Sequence, residues 1–154
     1  MLAVWRNSEA VIIDSVPTPG AFSFRVPVGS AIPGLATVHG RIFTAYAPED
    51  VREAALAADH VRLTEYTVVD PEELREELDH IRREGVAFGS QQTHRGTCSV
   101  AAPVLGSDGS VVASLAVAVP LERFGPMETR RYVTAVKQTA AALSHELGYG
   151  ERPH

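Results

Sequence analysis

The sequence predicts an α+β fold, an antiparallel sheet with helices packed against it. Three observations predict it. Apolar runs come in pairs joined by short polar turns, as hairpins do. Between the pairs lie segments whose apolar residues recur at three- and four-residue spacing. One such segment, Asp70 to Gly85, carries helix signals at both of its ends. The chain of 154 residues is long enough for one domain with its own core, and residues 1–154 are read as that single domain.

From the start, "LAVWRNSEAVIIDSV" reads as two strands around a polar turn at Arg6–Glu9, with Val11, Ile12 and Ile13 as a β-branched run. Pro17, Pro19 and Gly20 break it. "AFSFRVPV" then alternates, Phe22 and Phe24 on one face against Ser23 and Arg25, which predicts a half-buried strand. After Pro33-Gly34, the residues Ala36, His39, Ile42 and Phe43 fall near helical spacing, and Gly40 marks a close approach to another backbone. "PEDVREAALAADH" reads as a helix opened by Pro48, with acids in its first turn where the helix dipole favours them.

"RLTEYTVVD" has no period and is expected to be irregular. Asp70 is then an N-cap, Pro71 the first helical residue, and Glu73 the partner in a capping box. Leu74, Leu78 and Ile81 form the apolar stripe of that helix and Gly85 stops it, while its charged face reads as solvated. "VAFGSQQTHRG" is a strand running into a polar loop. Two apolar runs from Thr97 to Pro120 follow, hinged on Ser107-Asp108-Gly109-Ser110. A final amphipathic helix runs from Pro126 to about Leu147 on Val133, Val136, Ala140, Leu143 and Leu147.

Composition removes several function classes. The net charge is −5 and the basic residues are scattered among acids, so no basic stripe marks a nucleic-acid surface. A single cysteine, Cys98, allows no intramolecular disulfide and no multi-cysteine metal site. No apolar run reaches the length of a membrane span and the start is no signal peptide, so a cytoplasmic location is expected. No cofactor motif is present.

The hairpin is the part that raises a function. Between Val111 and Val119 only Ser114 is polar, so both faces of that strand should be covered. Ala113, Ala116 and Ala118 read as a covered face of small residues, which leaves room either for a packed helix or for a ligand. Thr97 and Ser99 on the facing strand offer hydroxyls to orient a polar group. Cys98 followed by Ser99 raises nucleophilic catalysis with His39 or His94 as base, but no nucleophile signature surrounds it and a lone strand cysteine is ordinarily buried and inert. No enzyme is read here.

Three strings carry a resemblance: "VPVGSAIPGLATVHGRIFTAY", "LTEYTVVDPEELREELDHIRREGVAF" and "GTCSVAAPVLGSDGSVVASLAVAVP". Their G-x-x-x-P loop and A-T-x-x-G helix start, D-P-x-x-L-x-x-E-L helix and G-x-x-x-x-A-A-P-V hairpin stand in the order found in IclR-type transcriptional regulators. The chain resembles the effector-binding domain of that family over nearly its whole length, without the winged helix-turn-helix that precedes it there. The resemblance implies a GAF-like curved antiparallel sheet with a small organic effector in its concave side, association into homodimers or tetramers, and DNA contact only through the absent module.

Carried over by position, the resemblance implies walls made of Val38, His39 and Gly40, Gly89 and Ser90, Thr97 and Ser99, and Ala116 and Ala118, with Phe24 and Ile32 closing the apolar side. Where the family often has an acid, a cysteine and serines, this chain has Gly89, Ser99, Ala116 and Ala118, and His39 replaces a small residue. Those departures imply a larger, partly apolar carboxylate, an aromatic acid among them, with its anion near the helix start and His39. His94 and Arg95 are candidates for a gate over the pocket or for a carboxylate contact, set against a solvated loop. A small enzyme using Cys98 or His39, and a stand-alone interaction module, are the alternative readings.

Overall fold

The computed structural model describes residues 1–17 and 26–150. Its strands are β1 (Leu2–Arg6), β2 (Glu9–Asp14), β3 (Ala31–Ile32), β4 (Ala87–Ser90), β5 (Thr97–Leu105) and β6 (Val111–Pro120). Its helices are α1 (Val38–Tyr46), α2 (Glu49–Ala57), α3 (Pro71–Glu84) and α4 (Pro126–Glu146). The six strands form one antiparallel sheet in the order β3-β2-β1-β6-β5-β4. The strand expected around Phe22 and Phe24 lies outside the described residues.

Long-range pairing of β1 with β6 joins the two hairpins into that sheet. The β5–β6 hairpin turns where Asp108 accepts hydrogen bonds from the Ser110 amide at 2.9 Å and hydroxyl at 2.7 Å. Gly109 takes the left-handed backbone conformation there, at φ 81°, which only glycine adopts without cost.

Helices cover both faces. On one side Ile42, Leu56, Leu74, Leu78 and Ile81 of α1–α3 pack on Ala87, Ala101 and Ala116. On the other, Val136 and Ala140 of α4 pack on Val100, Ala102, Val104 and Ala113. This corrects the grouping of the hairpin alanines. Ala113 and Ala116 differ by an odd number of positions, so they point to opposite faces, and only Ala116 lies under α1.

The Asp70, Pro71 and Gly85 signals of α3 hold. Asp70 accepts from the amides of Glu72 and Glu73 at 3.1 and 3.0 Å, and Gly85 closes the helix at φ 69°. Its charged face is a second correction, because it is partnered as well as solvated. Arg41 of α1, fully buried, donates to Glu77 at 2.6 Å, and Arg52 of α2 donates to Asp79 at 2.6 Å. Arg75 in turn pairs with Glu53 of α2. Burial pushes the Glu77 carboxyl above the usual carboxylate range against the pull of Arg41. α4 follows the predicted stripe through Val136 and Ala140, then turns Ser144 inward, whose hydroxyl accepts from the Leu105 amide at 2.8 Å; Leu147 is exposed.

Candidate functional site

The site begins with the way α1 starts. Thr37 is the N-cap, and its Oγ1 accepts from the Gly40 amide at 3.2 Å while donating to the Pro33 carbonyl at 3.0 Å. That double role ties the segment before the helix to its first turn. A Cβ on Gly40 would stand 2.0 Å from the Gly34 carbonyl oxygen, so the predicted close approach is a contact of backbone on backbone. With the Gly40 amide satisfied by Thr37, the forward-facing donors of the helix start are the amides of Val38 and His39.

Two cavities meet at this helix start. The inner one, about 10 Å³, is lined by Ala36, Val38, Gly89, Gln92, Thr93, Thr97 and Ser99. It has room for no more than about one water. The outer one is an open cleft of about 500 Å³ between Ile32, Pro33 and Thr37 on one wall and Leu63, Thr64, Thr93, His94 and Arg95 on the other. Thr93 lines both. Its hydroxyl reaches the Ala36 carbonyl at 3.5 Å, the outer limit of a hydrogen bond.

The rest of the Gln91–Gly96 loop is held more firmly. Thr64 and Thr67 hydroxyls donate to the Gln91 and Gln92 carbonyls, each at 2.7 Å. Gln91 sits in the left-handed region at φ 56° and its amide closes on the Thr97 carbonyl at 2.7 Å. At the mouth, Arg95 donates to Glu65 at 2.9 Å, with its own side chain largely in solvent. The loop is therefore fixed at its base and loosely tied where it covers the inner cavity.

His39 takes a different place from the one the resemblance implies. Its ring is 2% exposed, and its Nδ1 lies 3.0 Å from the Ser114 hydroxyl of β6. Nε2 is buried with no hydrogen-bond partner among the described residues. Burial, with the Met1 ammonium adding to it, brings the imidazole down to about 4, so the ring is neutral at neutral pH. Cys98 is fully buried and its Sγ donates to the Ser90 hydroxyl at 3.5 Å, a packed thiol with no exposed face.

Of the implied walls, the structure brings Val38, Gly89, Thr97 and Ser99 together around the inner cavity and places Ile32 in the outer cleft. Gly89 stands close to the helix, since a Cβ on it would meet Val38 Cγ1 at 3.2 Å. His39, Gly40 and Ala116 are buried elsewhere along α1 and β6, Ser90 holds Cys98, and Ala118 is half-buried opposite Ser99. Phe24 lies outside the described residues. Gln92, Thr93, Leu63 and Thr64 were not anticipated; they come from stretches with no period, and only their nearness to Gly89 and to the helix start would have pointed to them. Among the described residues no group of three or more His, Cys, Asp or Glu could hold a metal ion.

Comparisons with known proteins bear on the family and the fold. A family model described as bacterial transcriptional regulator IclR C-terminal matches residues 1–145. The glycerol operon regulatory protein of Streptomyces griseus is 33% identical over 151 residues, covering 97% of this chain and 59% of the relative. The crystal structure of the Thermotoga maritima IclR superposes with a TM-score of 0.89 at 25% identity, over 96% of this chain and 60% of that one. An IclR homolog from Microbacterium hydrocarbonoxydans, solved with 4-hydroxybenzoate, gives a TM-score of 0.86 at 27% identity, over 95% and 59% of the two chains. The chain thus spans about three-fifths of the length of each of these three proteins.

Proposed function

Because the chain belongs to the family of IclR C-terminal, effector-binding domains, we propose that it binds a small organic acid in the space between α1 and the β4–β5 loop. One observation carries this reading: a polar-lined inner cavity and an Arg95-bearing cleft share a single wall residue, Thr93, whose tie to Ala36 is the weakest of the loop. A ligand that replaces that contact joins the two spaces. Its carboxylate would meet the amides of Val38 and His39 or the guanidinium of Arg95, and its body would lie on Ile32, Pro33 and Leu63.

An aromatic acid fits this division into a polar end and an apolar wall, and the neighbour solved with 4-hydroxybenzoate supports the class. The reading includes reversible binding without chemistry, a cytoplasmic regulator, and association of subunits whose placement the ligand biases through unequal affinity for two arrangements. The relatives named as transcriptional regulators support it. The buried Cys98 thiol offers no nucleophile to a substrate in the cleft.

Thermal unfolding against aromatic, dicarboxylic and small keto acids tests the proposal. An acid at about 100 times its dissociation constant stabilises by about 2.7 kcal/mol, which moves the midpoint of a domain this size by about 5–10 °C. A shift confined to one chemical class, without turnover of the compound, is the expected result. Loss of that shift in Thr93→Val and Arg95→Gln would locate it here. No shift with any acid of the panel would overturn the assignment.

A further inference from the structure

The segment Pro33–Ala36 that walls the acid site also borders a separate groove of about 440 Å³. That volume lies in the range of small-molecule sites. Its floor is aromatic: Trp5 of β1 and Phe43 of α1 stack with centroids 5.2 Å apart at 30° between planes, and Trp5 stays 37% exposed. Its far wall is α2, where Val51, Ala54 and Ala58 recur at three- and four-residue spacing and leave an apolar face open to the groove.

The two sites differ in the charged side chains that line them. The acid cleft carries the guanidinium of Arg95, paired with Glu65 at its mouth. The groove is lined by one carboxyl side chain, Asp59, and by no lysine or arginine. Asp59 makes no ion pair among the described residues. Beside it stand the hydroxyl of Ser8, the hydroxyl of Thr44, which donates to the Gly40 carbonyl at 2.8 Å, and His60, whose Nε2 donates to the Leu56 carbonyl at 3.1 Å. A cavity with an aromatic floor, an apolar wall and a single carboxylate suits a flat ring that carries a cationic head.

We propose that this groove is a second ligand site, for a small aromatic amine whose ring lies against the Trp5–Phe43 stack and whose ammonium meets Asp59.

Trp5 is the one tryptophan of the chain, so its emission reports on this groove directly. Phenethylamine, phenethyl alcohol and phenylacetate present the same ring with a positive, a neutral and a negative head. Titrated into the whole chain, phenethylamine should change the Trp5 emission saturably, the alcohol about three- to tenfold more weakly, and phenylacetate not at all. Asp59→Asn should bring the amine down to the affinity of the alcohol. Ala58→Leu, a change at an exposed position, should fill the groove and weaken the amine at least about tenfold while leaving any thermal shift by aromatic acids intact. Equal responses to the three probes, no saturable response to the amine, or an unchanged response in Ala58→Leu would each overturn the proposal.

Discussion

Toward α4 the hairpin presents Val100, Ala102, Val104, Ala113, Leu115 and Val117, while toward α1 it presents Thr97, Ser99, Ala101, Ser114 and Ala116. The backbone is the same two strands, and only the parity of each position separates the sets. The α4 side is wholly apolar and sets four branched side chains around its two alanines, as a packing face does. The α1 side keeps side chains small or hydroxylated, so the helix above it must be held by other means: an N-cap, a glycine contact and a buried imidazole on Ser114. A face that is not packed to capacity by its own side chains is where a molecule can be admitted.

Breaking the α1 side should cost most. Gly40→Ala drives a methyl into the Gly34 carbonyl and is expected to remove about 3 kcal/mol or more, read from the urea midpoint of the purified chain. The buried imidazole gives this side a pH signature of similar size. Its folded value of about 4 lies below the ordinary 6.5, so the unfolded chain binds the extra proton between those values. His39 therefore contributes stability that is present above about pH 6.5 and lost as pH falls through about 4, of order 3 kcal/mol. Stability measured across that window should fall less steeply in His39→Asn than in the parent chain.

The α4 side answers differently. Val104→Ala removes fully buried branched carbons and should cost about 2 kcal/mol at any pH, with acid binding unchanged. Ser99→Ala, beside the inner cavity, should change stability by no more than about 0.5 kcal/mol while weakening the bound acid about three- to tenfold, read by calorimetric titration. Equal stability costs for these two substitutions would mean that the two faces are packed alike.

Much of this was legible in the residues. Asp70, Pro71 and Gly85 delimit α3 because caps are local chemistry, and Gly40 announced its contact because only a missing Cβ permits one. The two alanine faces were separable by parity, yet grouping by residue size merged Ala113 with Ala116. Arg41 and Arg52 were illegible as core residues: a guanidinium is read as surface unless its carboxylate partner is known, and Glu77 and Asp79 arrive from a helix more than two dozen positions later. Thr93 and Leu63 belong to loops, where position is set by tertiary contacts rather than by a period.

The contact between Gly34 and Gly40 has a mechanical consequence. Two main chains that touch without side chains between them have no cushion, so the segment walling the cavities and the first turn of α1 move as one rigid piece. Arg41, the next residue, is bolted to the Leu35 carbonyl at 2.8 Å on that piece and to Glu77 of α3. The segment that a molecule in either cavity would touch is therefore tied to α3 through one buried guanidinium.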